Sequence, residues 1–207
     1  RGGPFGSEYS LAGLMLRAPR RDVEAANANW VRGREAYVFL SMGAAHDPGV
    51  YQFEDKSTRP APAPGGNSIS TLLVTNAPAG ANAAYLRLVR IGAHVLLLIQ
   101  PVDGAGSGWQ VLRRFNRSDF PERLQLGFVT YTDWATMQGC SYEFHNRNIL
   151  AQSCGPNPQP ADPDLNASFE FLRVDRPQVP APFAGADFSN PAAVSDAQIL
   201  ALFGFAP

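Results

Sequence analysis

Charge of one sign is what this chain most lacks. Seventeen basic residues stand against eighteen acidic ones, a formal net charge of -1, so no overall field draws it to nucleic acid or to an anionic membrane surface. Long hydrophobic runs are missing too. The longest strongly apolar run, Val95 to Ile99, falls far short of the roughly 20 residues that cross a bilayer as a helix, which excludes a spanning helix and leaves open association with a membrane-bound assembly. The chain opens on Arg1 with no basic-then-apolar leader. That is expected either of a product whose leader has been removed or of a piece of a longer one.

Cysteine and histidine are scarce. The two cysteines, Cys140 and Cys154, lie in a stretch crowded with Gly, Pro, Asn and Ser. A disulfide between them would close a loop of about 15 residues, worth roughly 3 kcal/mol in the chain-entropy account, and implies an oxidising compartment: secreted, periplasmic or cell surface. Zinc is not expected, since no second cysteine pair exists and His145 is the only nearby imidazole. His46, His94 and His145 are scattered and none belongs to a nucleophile motif, and no phosphate loop or dinucleotide fingerprint occurs. Paired carboxylates at alternating strand positions, which a glycosidase would project from one face, are also missing. Glu170 is followed on its face by Leu172 and Val174, and Glu143 has no carboxylate at the second or fourth position after it. No enzyme and no cofactor are expected. Calcium is the one ion with any donors in place: Asp162, Asp164 and Asn166 offer oxygen at a spacing of two, although Asp-Pro-Asp is turn chemistry as well.

Glycine and proline, by contrast, are plentiful. Nineteen glycines and eighteen prolines punctuate the chain more heavily than a helical protein tolerates, and short apolar or alternating runs recur between them. Strands are expected over Tyr9–Ala18, Glu35–Gly43, Val50–Glu54, Ile69–Thr75, Ala84–Ile91, His94–Gln100, Trp109–Phe115, Arg123–Thr132 and Ser168–Asp175. Val95–Ile99 lacks alternation and should be central with both faces covered. Ile91-Gly92-Ala93-His94 reads as a hairpin. Residues 19–34, 59–67 and 139–163 read as surface loops. After the proline-rich stretch from Pro177 to Pro182, Ser195-Asp196 leads into Ile199, Leu200, Leu202 and Phe203 with Gly204 just beyond, a short capped helix. Its apolar face must dock, either on this chain or on a partner.

A family resemblance joins these pieces. Tyr85-Leu86-Arg87-Leu88-Val89-Arg90, a hairpin, Val102-Asp103-Gly104, Trp109, Asp119-Phe120-Pro121 and Leu126-Gly127-Phe128-Val129 together resemble bacterial members of the concanavalin A-like lectin/glucanase superfamily. Leu11 to Arg17 and Phe169 to Val174 are similar to further strands of theirs. The resemblance implies an all-β fold, a two-sheet antiparallel jelly-roll sandwich over residues 1–176 with a short C-terminal helix in the tail 177–207, and a core position for Trp109. Those relatives have one or two strands before the one resembling Leu11 to Arg17, so an edge open to strand addition is expected here. The function expected is a non-catalytic recognition module for glycan or a surface polymer. Trp134 would stack on sugar, with Tyr131, Asp133, Tyr142, His145 and Asn146 around it. The alternative is an accessory subunit docking through Ile199, Leu200, Leu202 and Phe203 on a larger membrane-associated or cell-surface assembly.

Overall fold

The computed structural model describes residues 9–19, 31–47, 50–102, 108–141, 144 and 164–205. They form an all-β protein with two antiparallel sheets, of five and three strands, and a short C-terminal helix. The chain divides into two compact units, residues 1–76 with 122–167 and residues 77–121 with 168–207. Residues 177–207, set apart in sequence as a proline-rich tail, thus group with the middle of the chain.

In the first unit β1 (Ser10–Arg17), β2 (Tyr37–Ala44), β3 (Gln52–Arg59) and β4 (Ile69–Asn76) follow one another as a meander, and β8 (Gln125–Tyr131) returns to pair with β1. Leu11, Val38, Leu40 and Phe53 are buried in it. β1 and β2 approach so closely at Gly13 that a Cβ there would lie 2.0 Å from the Leu40 carbonyl oxygen, so no larger residue fits. The turn from β2 to β3 is held by Gln52. Its Oε1 accepts from the His46 N–H at 2.9 Å and its Nε2 donates to Asn76 Oδ1 at 2.8 Å. β3 corrects the sequence reading: expected over Val50–Glu54, it runs on through Asp55-Lys56-Ser57-Thr58 to Arg59. Cross-strand polar pairs such as Thr58 with Ser70, 2.8 Å apart, replace the apolar side chains that would have marked it. A short helix, α1 (Trp134–Met137), follows β8, and its first turn closes where the Met137 N–H donates to the Asp133 carbonyl.

The second unit is a three-stranded sheet, β5 (Ala84–Ile91), β6 (His94–Pro101) and β7 (Gln110–Asn116). Gly92, at φ 56°, takes the first central position of the two-residue turn between β5 and β6, as the sequence led one to expect. β6 is central, and Val95 to Ile99 are all buried. Over one face of the sheet, Val89, Leu96 and Leu98 pack with Phe188, Val194 and Ile199. Ile199 belongs to the C-terminal helix α2 (Asp196–Leu202), whose start is fixed by a capping box between Ser195 and Gln198. Leu200, Leu202 and Phe203 pack against the same cluster. Of the four residues named for partner docking, Ile199 is buried and Leu200, Leu202 and Phe203 are half-buried against this sheet. Half-buried Trp109 joins that cluster too, in agreement with its expected core position. Arg114 locks the cover in place, donating to the Val194 carbonyl at 2.6 Å and pairing with Asp196. At the end of β7, Arg117 is wholly buried, grips the Asp119 carboxylate with Nε and one terminal nitrogen, and stacks on Phe120 at 3.7 Å.

The ninth expected strand, Ser168–Asp175, is not formed. These residues are exposed and join no strand ladder among the described residues. Alternation records fitness for a pleated surface, but a strand exists only where a neighbour supplies its hydrogen bonds.

Candidate functional site

Register decides which side chains share a face of the five-stranded sheet. Ser41 on β2 lies opposite Glu54 on β3, and Phe39 opposite Lys56. Tyr131 at the end of β8 reaches the same place: its hydroxyl lies 2.7 Å from Ser41 Oγ and its ring 5.5 Å from that of Phe39. Glu54 is 2% exposed and its Oε2 has no hydrogen-bond partner among the described residues. Burial disfavours its ionised form and pushes its pKa up to about 7, while the Tyr131 hydroxyl and the Lys56 ammonium pull the other way without offsetting this. Burial, with the charge of Glu54 beside it, pushes the Tyr131 hydroxyl well up as well. Asp55 follows Glu54 directly, so its side chain faces the opposite side of the sheet.

At the other end of this face, a groove of about 360 Å³ is lined by Glu35, Tyr37, Lys56, Thr58, Asn67, Ser68 and Ser70. It forms because β4 starts, β3 ends and β2 starts at one rim. Ser68 donates to Glu35 Oε2 at 2.5 Å, and Arg32 donates to Asn67 Oδ1 at 2.7 Å. The other carboxylate oxygen of the buried Glu35, Oε1, finds no donor among the described residues. Tyr37 stacks on Phe39 with rings 6° from parallel, which turns it into wall. Glu35 stands six positions along the chain from Ser41, the partner of Glu54, hence roughly 20 Å from Glu54 in extended chain. That is beyond the separation of about 5 to 9.5 Å at which two carboxyls flank a glycosidic bond. Sequence reasoning missed Glu35, Glu54 and Ser41. The signal was the alternation of Glu54, Lys56 and Thr58 through a run read as the end of a strand.

The residues named from sequence are placed as follows. Tyr131 is turned into the polar cluster with Ser41 and Glu54. Asp133 is buried with a left-handed backbone, φ 54°, and Trp134 is 46% exposed. Of the expected sugar site, Trp134 alone among the described residues is exposed. Tyr142, His145 and Asn146 lie outside the described residues, as do Asp162 and Cys154. Cys140 is half-buried just after α1, and no cysteine among the described residues is free. Asp164 accepts hydrogen bonds from Ser10 and, at 2.8 Å, from Thr132, pinning the start of β1 to the end of β8. Asn166 is exposed. No group of three or more His, Cys, Asp or Glu is gathered among the described residues, and no described helix is long and apolar enough to cross a membrane. No family model, curated protein or solved structure matches the chain.

Proposed function

We propose that the chain is a non-catalytic, extracytoplasmic recognition module that holds a glycan or another hydroxyl-rich surface polymer in the groove beside Glu35. Glu35 Oε1 carries the reading. A buried carboxylate oxygen without a donor costs free energy until something donates to it, and it lies in the wall of a groove. A sugar hydroxyl both donates and accepts, so it suits Glu35 together with the hydroxyls of Thr58, Ser68 and Ser70, the Asn67 amide and the Lys56 ammonium. With Tyr37 occupied by Phe39, the groove offers polar contacts and no open ring for stacking, so weak binding is expected. Kinship with the concanavalin A-like superfamily is part of the proposal, supported by the order of strands and turns and by the two antiparallel sheets. So is a Cys140–Cys154 bridge, which fits an oxidising compartment.

Titration calorimetry against a panel of neutral and acidic polysaccharides tests the proposal. Ser70→Trp, which fills the groove from an exposed position, is expected to weaken binding about tenfold or more, while Trp134→Ala leaves it unchanged. Absence of binding to every polymer would sink the reading. Loss of binding in Trp134→Ala with Ser70→Trp unaffected would move the site to the end of β8.

A further inference from the structure

Around Glu35 the wall of the groove is short of donors. The Ser68 hydroxyl gives its hydrogen to Glu35 Oε2 at 2.5 Å, so its oxygen has only lone pairs left to offer. Glu35 Oε1, in the same wall, has no donor among the described residues. A counter-charge is missing as well: Glu35 is 8% exposed and forms no ion pair among the described residues, although a buried carboxylate is ordinarily paired with a cation. Arg32 and Lys56 do not fill that need. Arg32 gives its Nε to Asn67 Oδ1 at 2.7 Å, and Lys56 lies opposite Phe39, four positions on from Glu35 and hence roughly 13 Å away along extended chain.

We propose that the groove takes an amino sugar, with its ammonium seated against Glu35 Oε1 and Ser68 Oγ. The inference rests on the reading of this groove as a glycan site and names the sugar. An ammonium carries three donors and no acceptor, which is the complement of two acceptors with no hydrogen to give. A hydroxyl brings an acceptor that this stretch of wall cannot serve, and an acetamido N–H brings one donor and no charge. Only the ammonium supplies both the donor and the counter-charge, and hydrogen bonds between ionised groups are roughly twice as strong as neutral ones. Lys56 decides what lies at the other end of the groove. Its own ammonium repels a second amine and donates to hydroxyl or carboxylate oxygens, so the ligand is a chain in which an amino sugar has neutral or acidic neighbours.

Titration calorimetry of the full chain tests this with two probes: a trisaccharide of N-acetylglucosamine, and the same trisaccharide with one acetyl group removed, at a pH where the freed amine is charged. The amine is expected to bind about tenfold tighter or more than its parent. Ser70→Trp, which fills the groove without touching the Glu35 carboxylate, is expected to weaken both probes and to remove the preference. Glu35→Gln, which keeps an acceptor for Ser68 and loses the charge, is expected to bring the two affinities together; if its circular dichroism differs from that of the parent chain, the Ser70→Trp comparison decides. Equal affinities for the two probes, both weakened by Ser70→Trp, would overturn the amino-sugar assignment and leave the groove a glycan site. A preference that survives Ser70→Trp would also overturn it, since the amine would then be held elsewhere. Binding of neither probe by a chain that binds another polysaccharide would do the same, whereas binding of no saccharide of any kind fells both readings.

Discussion

At neutral pH Glu54 sits near the midpoint of its own titration, and the sign of its effect on stability follows from that. Its ordinary pKa is 4.5 and its value in the folded chain is about 7. Below pH 4.5 both the folded and the unfolded chain hold the proton, so nothing distinguishes them. Between 4.5 and 7 the folded chain keeps a proton that the unfolded chain has released, and stability falls as pH rises. Above 7 both are ionised and the cost levels off, on the order of 3 kcal/mol. Glu54→Gln retains an acceptor for the Tyr131 hydroxyl and removes the titration. Urea unfolding at pH 8 should show the variant more stable than the parent chain, and the difference should shrink towards pH 5. An unchanged difference at the two values would refute this account. Little of the cluster was legible beforehand, because Tyr131 was read as a surface ligand and Glu54 as the last residue of a strand. Which face a polar side chain takes depends on register with β2, and the β3 segment had too few apolar residues to announce it.

Among the elements, the most legible were those whose apolar pattern and turn chemistry agree. β5 and β6 were read almost to the residue, since an unbroken apolar run beside a Gly-Ala turn has few other solutions. Helix α2 was equally plain from Ser195, the apolar residues behind it and Gly204. Its cap gives a direct test: Ser195 accepts from the Gln198 N–H and Gln198 reciprocates, so Ser195→Ala is expected to cost about 1 kcal/mol. Thermal unfolding followed by tryptophan fluorescence would detect the change, because Trp109 stacks on Phe205 just past the helix at 4.5 Å. A variant as stable as the parent would mean that packing alone fixes the helix. The segment 168–175 was misread for the opposite reason to β3. Its pattern is strand-like, yet the pattern does not say whose edge it meets.

At the scale of the whole molecule, the two units are threaded through one another in sequence. The chain leaves the first unit at Asn76, builds three strands of the second, and comes back at Glu122. Pairing of β1 with β8 therefore closes a very long loop, with Ser10 bonded to Thr132 across 122 positions, and such non-local contacts slow folding. The second unit has its own long-range debt, since Val89, Leu96 and Leu98 are covered by residues from 179 onward. Removing residues 177–207 is expected to expose that face, bind the dye ANS and make the remaining chain prone to aggregate. A truncated chain that stays dye-free and monodisperse would show that the cover is dispensable. The same arrangement imposes an order on synthesis. Arg114 and Val194, which lock the cover to the sheet, are 80 positions apart, so a growing chain carries the apolar face of β6 uncovered through most of the time in which its second half is made. The most hydrophobic strand of the protein is thus made long before its shelter, and nascent chains stalled before Phe188 should be the ones that engage chaperones.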